Sequence, residues 1–533
     1  MHTFLPVTLV CLSWVCGGAV AFDFKAIPIA VSPMAGAVDT AAAPPTDQEH
    51  PQLSLDQLRR DLRSEYGDKR RRAVTKLARL GGEDAMELVI GALTDEDAQV
   101  ADEAELRLPD FAADGVLDWM VGKRGLGAKD PWVRVRAAGA LGRMGGKVPL
   151  RPLVKALDRR DPDFTRAVLW AVESLAGRDA LTGVDARGAL GPIAKLVVKG
   201  TPDRVRAAAL STLAQVDPEA AAALLPKARG CGGTETLCAA LSVEAAAGGP
   251  DWTASLLGAI EHDDPMVRAH GARLVGRGFG GRPALARLAA RLGVEPRPAV
   301  ALTVAAALGK ATGLKHGRHQ KSWERAIADL PDDWVPVPAG AAGESKSKDL
   351  PAGSSVAALG RLDPLSDRIA ILVDFSGSLW NERKDGTKRK DALDPEVTAL
   401  LGRLAPDSRF LLVPYTHECH PFEDEPLVAT PRNVRQAQDF FDKARMRGKG
   451  NVWDAIQLAL ACGEIDRILI VTDGAPTGGH RWNIDLMVEL LAEQTRFRPV
   501  LFDLVFFDAP KGLVRRWEPL AEGTGGRLVV IDR

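Results

Sequence analysis

The sequence predicts a multidomain protein: an N-terminal α-solenoid of stacked helix pairs, then a C-terminal α/β domain with a doubly wound, Rossmann-like sheet. Three observations predict it. Helix openings recur along residues 54–335. From about residue 366, apolar strand-like runs alternate with amphipathic helical stretches. Between the two lies a small, polar, Pro/Gly-rich segment. A chain of 533 residues has room for about two to four domains. Its 69 Lys+Arg and 70 Asp+Glu nearly cancel, at net −1, so no bulk attraction to nucleic acid is expected.

Residues 1–21 form an apolar run closed by Ala19-Val20-Ala21. This is the pattern of a secretory signal peptide, although the basic start is missing. The expectation is an exported protein, periplasmic, cell-envelope or extracellular, and bacterial by the look of the signal. It has no integral membrane span once the signal is cleaved. Residues 22–53 are rich in Ala, Pro, Thr and Asp and read as a disordered tether. Six cysteines occur, of which Cys11 and Cys16 fall in the signal. Cys231 and Cys238 bracket GGTETL. A disulfide, and a buried helical thiol at Cys238, stay open as alternatives. Cys419 and Cys462 read as core thiols, and there is no C-x-x-C pair for a structural zinc site.

Four openings illustrate the repeat: DPWVRVRAAGALGRMG (130–145), DPDFTRAVLWAVESLAG (161–177), TPDRVRAAALSTLAQV (201–216) and DPMVRAHGARLVGRG (264–278). A polar residue and a proline cap and open each helix. Val133, Ala137, Leu141 and Met144 then form one apolar stripe, as do Phe164, Val168, Val172 and Leu175. Val100, Val133, Phe164, Val205, Leu237 and Val267 recur at roughly 30–40 residues, enough for two short helices. One pair cannot bury both its faces, so pairs must stack. The pattern D-P-x-V-R-x-x-A-A-x-A-L-G resembles HEAT-like repeats of the bilin-lyase type. That resemblance implies an extended surface for binding. The Asp and Arg of each repeat read as caps and inter-repeat pairs. Lys315, His316, Arg318, His319 and Lys321, near the end of the stack, read as a solvated loop.

Residues 336–365 are the expected linker. Beyond it, RIAILVDF (368–375), SRFLLVPYT (408–416), DRILIVTDG (466–474), RPVLFDLVFFD (498–508) and RLVVID (527–532) read as strands. Helices are expected near 394–404, 432–445, 451–462, 484–495 and 512–523. This alternation predicts a parallel sheet covered on both faces. In such sheets, sites lie at the carboxyl ends of strands beside the switch point, where Asp374 and Asp473 fall.

The turn after the first strand is D-F-S-G-S, Asp374 to Ser378. With Asp473-Gly474 and the helix opening GKGNVWDAIQLAL (448–460), it resembles the metal-ion-dependent adhesion site of von Willebrand factor A (VWA) domains over residues 366–533. Hydroxyl oxygens of Ser376 and Ser378 with carboxylates of Asp374 and Asp473 suit a hard cation. The resemblance implies Mg²⁺, with Mn²⁺ or Ca²⁺ as alternatives, and a protein partner whose acidic side chain completes the site. One position departs from the pattern. The family's Thr is Gly450 here, which lowers the expected affinity. The competing reading is that the hydroxyls cap the following helix and that Asp473 bonds backbone at the strand end.

The leading expectation is therefore a non-enzymatic, exported protein-interaction module. A structural scaffold with a metal-free VWA fold is the alternative. A metal-dependent phosphohydrolase ranks lower, because Ser376 stands where that chemistry wants a second carboxylate. The basic run NERKDGTKRKD (381–391) reads as a solvated insertion, or as a contact for an acidic partner. His480 and Trp482, just after Asp473, read either as part of the rim of the metal edge or as residues that merely pack there. His417 and His420, three apart at a strand end, are expected on opposite faces and not as a zinc pair.

Overall fold

A computed structural model describes residues 54–158, 160–248, 252–331, 334–336, 366–382, 386 and 388–531. The expected signal peptide, the tether and nearly all of the linker lie outside the described residues. The molecule is mostly helical, with one large mixed sheet towards the C-terminus.

Eight helices form one row, each packed on the next: α1 (Gly67–Leu80), α2 (Ala98–Arg107), α3 (Pro131–Gly142), α4 (Pro162–Gly177), α5 (Asp203–Val216), α6 (Thr234–Ala247), α7 (Pro265–Gly276) and α8 (Pro298–Thr312). A second row packs against it, including Glu83–Gly91, Pro218–Gly230, Trp252–Ile260 and Gly281–Leu292. The predicted caps form as the chemistry requires. Asp130, Asp161 and Asp264 each accept a backbone N–H in the first turn, with proline behind them. Thr201-Pro202 departs from this scheme. Helix α5 starts at Asp203, whose carboxylate instead accepts the N–H groups of Glu235 (2.9 Å) and Thr236 (3.2 Å) and so caps α6. Arg134–Asp161 and Arg268–Glu295, both 2.6 Å, tie neighbouring repeats together.

The sheet contains β1 (Arg368–Asp374), β2 (Arg409–Tyr415), β3 (Leu427–Val428), β4 (Arg467–Thr472), β5 (Leu501–Phe507) and β6 (Leu528–Ile531), in the order β3-β2-β1-β4-β5-β6. All pairs are parallel except the short edge strand β3, which the sequence reading missed. Two residues have little periodicity to read. Alternate residues of β1 serve the two faces: Ile369, Ile371 and Val373 pack under α9 (Arg389–Gly402) and α10 (Pro431–Lys443), while Ala370 and Leu372 pack against α11 (Val452–Ala461), α12 (Ile484–Gln494) and α13 (Lys511–Thr524). From β1 the chain moves outward to β2, then crosses back to β4 on the other side. The switch point therefore lies between the ends of β1 and β4.

The described residues belong to one compact unit, and the extended surface expected of the helical row is partly covered. The row is occupied by the chain's own C-terminal part. Phe497 joins the apolar core of the stack. Arg143 and Arg166 pair with Glu489 and Glu493 of α12 (both 2.6 Å), Glu173 with Arg496 (2.7 Å), and Arg297 with Asp466 (2.9 Å). Several charged residues of the repeats are thus not inter-repeat pairs. They face the sheet domain, because one side of each row helix has no neighbouring repeat to cover it.

Candidate functional site

The site is built where three loops meet above β1 and β4. Asp374 ends β1, opposite Tyr415 in register. Its carboxylate is buried and accepts from the Ser376 N–H (2.7 Å) and from the Thr472 hydroxyl (2.7 Å). Burial raises its pKa to about 6, with the neighbouring Asp473 carboxylate adding to the rise. Thr472 also accepts from the Gly474 N–H (2.9 Å). Thr472, not Asp473, therefore does the backbone bonding at this strand end.

The hydroxyl-cap alternative for Ser376 and Ser378 is not what forms. A four-residue 3₁₀ turn, Gly377–Trp380, follows Ser376 without a side-chain cap bond. Instead the two hydroxyls lie 3.0 Å apart and bond each other. The third loop is fixed by the Gly377 N–H donating to the Gly448 carbonyl (2.9 Å). It brings Gly450 over the same spot. A Cβ on Gly450 would lie 3.4 Å from Ser376 Cβ and 3.5 Å from both Asp374 carboxylate oxygens. Gly450 thus adjoins Ser376 and Asp374 without a side chain. The Thr477 hydroxyl accepts from the Gly450 N–H (2.6 Å).

Asp473 is nine-tenths buried, and its Oδ1 has no hydrogen-bond partner. A buried, unbonded carboxylate oxygen beside a second carboxylate and two hydroxyls is a donor set that fits a hard divalent cation. Among the described residues no cluster of three or more His, Cys, Asp or Glu side chains could hold a metal. Any cation here must rely on the hydroxyls and on water.

The basic run is solvated only in part where it is described: Asn381, Glu382, Gly386 and Asp391 are exposed, but Arg389 and Lys390 are packed. Lys390 is buried over the rings of Phe375 (4.1 Å) and Phe441 (5.1 Å) and pairs with Asp394 at 2.6 Å. Arg389 opens α9, and its guanidinium donates to the Ser378 carbonyl (3.2 Å) and to Asp508 (3.2 Å), 4.0 Å from Asp473 Oδ2. The sequence reading missed this contact; its one visible signal was the run of positive charge. Residues 383–385 and 387 lie outside the described residues.

His480 and Trp482 do not front the site. His480 stacks on Trp132 of α3 (4.6 Å, 13°) and bonds Asp454 (2.9 Å), while Arg71 of α1 lies over Trp482 (5.2 Å). Asp102 of α2, fully buried, accepts the N–H groups of Trp482 (2.6 Å) and Asn483 (2.9 Å) and pairs with Arg136 (2.6 Å) and Arg481 (3.1 Å). Burial opposes its ionisation, but the two guanidiniums and the two N–H groups outweigh it and hold the carboxyl below its usual range. Glu105 completes the cluster against Arg481 and Arg136.

The expectation of opposite faces for His417 and His420 is overturned. Strand β2 stops at Tyr415 and the chain turns, so both rings come to the Thr416 hydroxyl (3.4 and 3.2 Å). Cys231 and Cys238 are both free thiols, and Cys238 is buried on α6. His316 packs edge-on to Trp323 (4.8 Å) at the end of the stack.

No family model matches the chain. It is 26% identical over 131 residues to inter-alpha-trypsin inhibitor heavy chain H2 of Sus scrofa and to that of Mus musculus, and 25% identical to that of Homo sapiens. Each alignment covers 22% of this chain and 13% of the relative, so the match spans only a small part of those proteins. Among solved structures, the conserved hypothetical protein BatB from Bacteroides thetaiotaomicron aligns with 31% of this chain and 90% of its own, at 13% identity and TM-score 0.24. The CpcE–CpcF complex of phycocyanin lyase from Nostoc aligns with 54% of this chain and 99% of its own, at 17% identity and TM-score 0.24.

Proposed function

We propose that this chain is a non-catalytic protein-interaction module: a HEAT-like α-solenoid (54–335) joined through a linker (336–365) to a VWA-type domain (366–533) with a cation-dependent edge. Asp374, Ser376, Ser378 and Asp473 would hold Mg²⁺, or Mn²⁺ or Ca²⁺, with water in place of the side chain missing at Gly450. A bound cation there supplies an open coordination position for a carboxylate of a protein partner. One observation carries the reading. The three sequence segments that resemble an adhesion site converge at the switch point, around a buried Asp473 oxygen without a partner. The 26% identity over part of inter-alpha-trypsin inhibitor heavy chain H2 supports the family reading without identifying the partner. Export rests on residues 1–21, outside the described residues. Among the described residues, no helix is long and apolar enough to cross a membrane.

The test is Mg²⁺ and Mn²⁺ titration calorimetry on the full chain, since stack and sheet domain share core and buried ion pairs. We expect saturable binding that is lost in Asp374→Ala. Absence of binding at millimolar metal supports the second reading, a metal-free scaffold, which Gly450 favours.

A further inference from the structure

We propose that Arg389 is a tethered competitor of the cation, making it and Asp508 the residues that set how readily the edge is occupied. The inference rests on the cation reading above. It shares the unbonded Asp473 oxygen with that reading and adds the placement of Arg389 and Asp508.

Arg389 is held in place from several directions. It lies in the first turn of α9, beneath which Lys390 is anchored in the core by Phe375 and Asp394. Its Nη1 donates to the carbonyl of Ser378, within the D-x-S-x-S turn itself (3.2 Å). Its Nε donates to Asp508 Oδ2 (3.2 Å). Asp508 follows β5 with φ at +48°, one of two positive-φ residues other than glycine among the described residues. That left-handed conformation is tolerated by Asp, and such residues concentrate where geometry matters for function. The Asp508 N–H is fixed on the Ile531 carbonyl (3.0 Å).

So placed, the guanidinium comes 4.0 Å from Asp473 Oδ2, while Oδ1 of the same carboxylate stays unbonded. One oxygen feels a permanent positive charge; the other is unbonded, and the carboxylate is near enough to Asp374 to raise its pKa. A divalent cation entering that second position meets the repulsion of Arg389 at short range. The guanidinium is only partly exposed, so solvent does not fully screen this. Asp508 moderates the effect by drawing the charge towards itself. Like the missing side chain at Gly450, this works against occupancy. The edge is then loaded only at high cation concentration, or when a partner's carboxylate adds its own negative charge.

The experiment is Mg²⁺ calorimetry on the full chain with Arg389→Gln, Arg389→Lys and Asp508→Asn, with thermal unfolding of each as a check on folding. Gln removes the charge and should tighten Mg²⁺ binding about tenfold, the size expected of one partly screened charge a few ångströms away. Lys keeps the charge and should stay within about twofold of the parent. Asn retains the backbone conformation but releases Arg389 towards Asp473, and should weaken binding several-fold. A general disturbance of the edge would weaken Arg389→Gln and Asp508→Asn alike. Binding in the parent that is unchanged or weaker in Arg389→Gln overturns the competitor role and leaves the cation site standing. If neither the parent nor Arg389→Gln binds metal at millimolar concentration, the cation reading itself fails, and the competitor role with it.

Discussion

At the scale of single residues, Gly450 is the position where this edge departs from the adhesion-site pattern that the sequence resembles. A methyl-sized addition there meets its neighbours at ordinary contact distance, and the backbone φ is not in the glycine region. Gly450→Thr should therefore fold and place a hydroxyl above Asp374. Calorimetry should show Mg²⁺ affinity raised about tenfold, the order of one added charge-assisted contact. Unchanged affinity would mean that water already does the work of the missing hydroxyl. The residues that resembled a metal site could be read in one dimension because they sit in short, rigidly spaced turns. Arg389, Thr472 and Tyr415 could not be assigned the same way. Tyr415 and Thr472 end the strands that flank β1 and Arg389 returns from α9, so only the tertiary packing says which neighbours they have.

At the scale of elements, the loop 475–483 joins β4 to α12 and is held by α2 of the helical stack. Asp102 holds the chain just ahead of α12 through the Trp482 and Asn483 N–H groups, while Asn483 caps the helix itself, and Asp102 is buried against Arg136 and Arg481. Removing one member of such a cluster strands the others as unpaired buried charges. Asp102→Asn should lower stability by about 3 kcal/mol in urea unfolding. The amides of 477–483 should exchange with deuterium faster, while those of β1 change little. Slower or unchanged exchange in that loop would show that the stack does not hold it. The helices themselves were readable from Asp-Pro caps and apolar stripes. The short edge strand Leu427–Val428 was not, since two residues carry no period.

At the scale of the whole molecule, the joint between stack and sheet domain contains a buried histidine. His270 of α7 packs near Phe497 (6.1 Å), with Nε2 on the Ser242 hydroxyl (2.8 Å). Burial first, then Arg277, Arg273 and Arg496, lower its pKa to about 3. Arg277 and Arg273 are on or just past its own helix, and Arg496 comes from the sheet domain. A neutral histidine with a depressed folded pKa contributes stability that is full above its unfolded value of about 6.5. That stability is lost progressively as pH falls towards 3. We expect urea stability to decline between pH 6.5 and 4 by a few kcal/mol, and His270→Gln to flatten most of that slope. An unaltered slope in the variant would place the acid sensitivity elsewhere.

The sequence by itself determined the two kinds of architecture and the segments of the edge. Caps, apolar periodicity and turn spacing are local, and local chemistry is written in consecutive residues. Tertiary structure alone decided that the helical row takes the chain's own sheet domain as its occupant. It also decided that His480 and Trp482 belong to that joint, and that a guanidinium from α9 reaches the turn at Ser378. These are contacts between segments tens to hundreds of residues apart. They depend on which faces remain uncovered once each element has packed, and no local pattern encodes that.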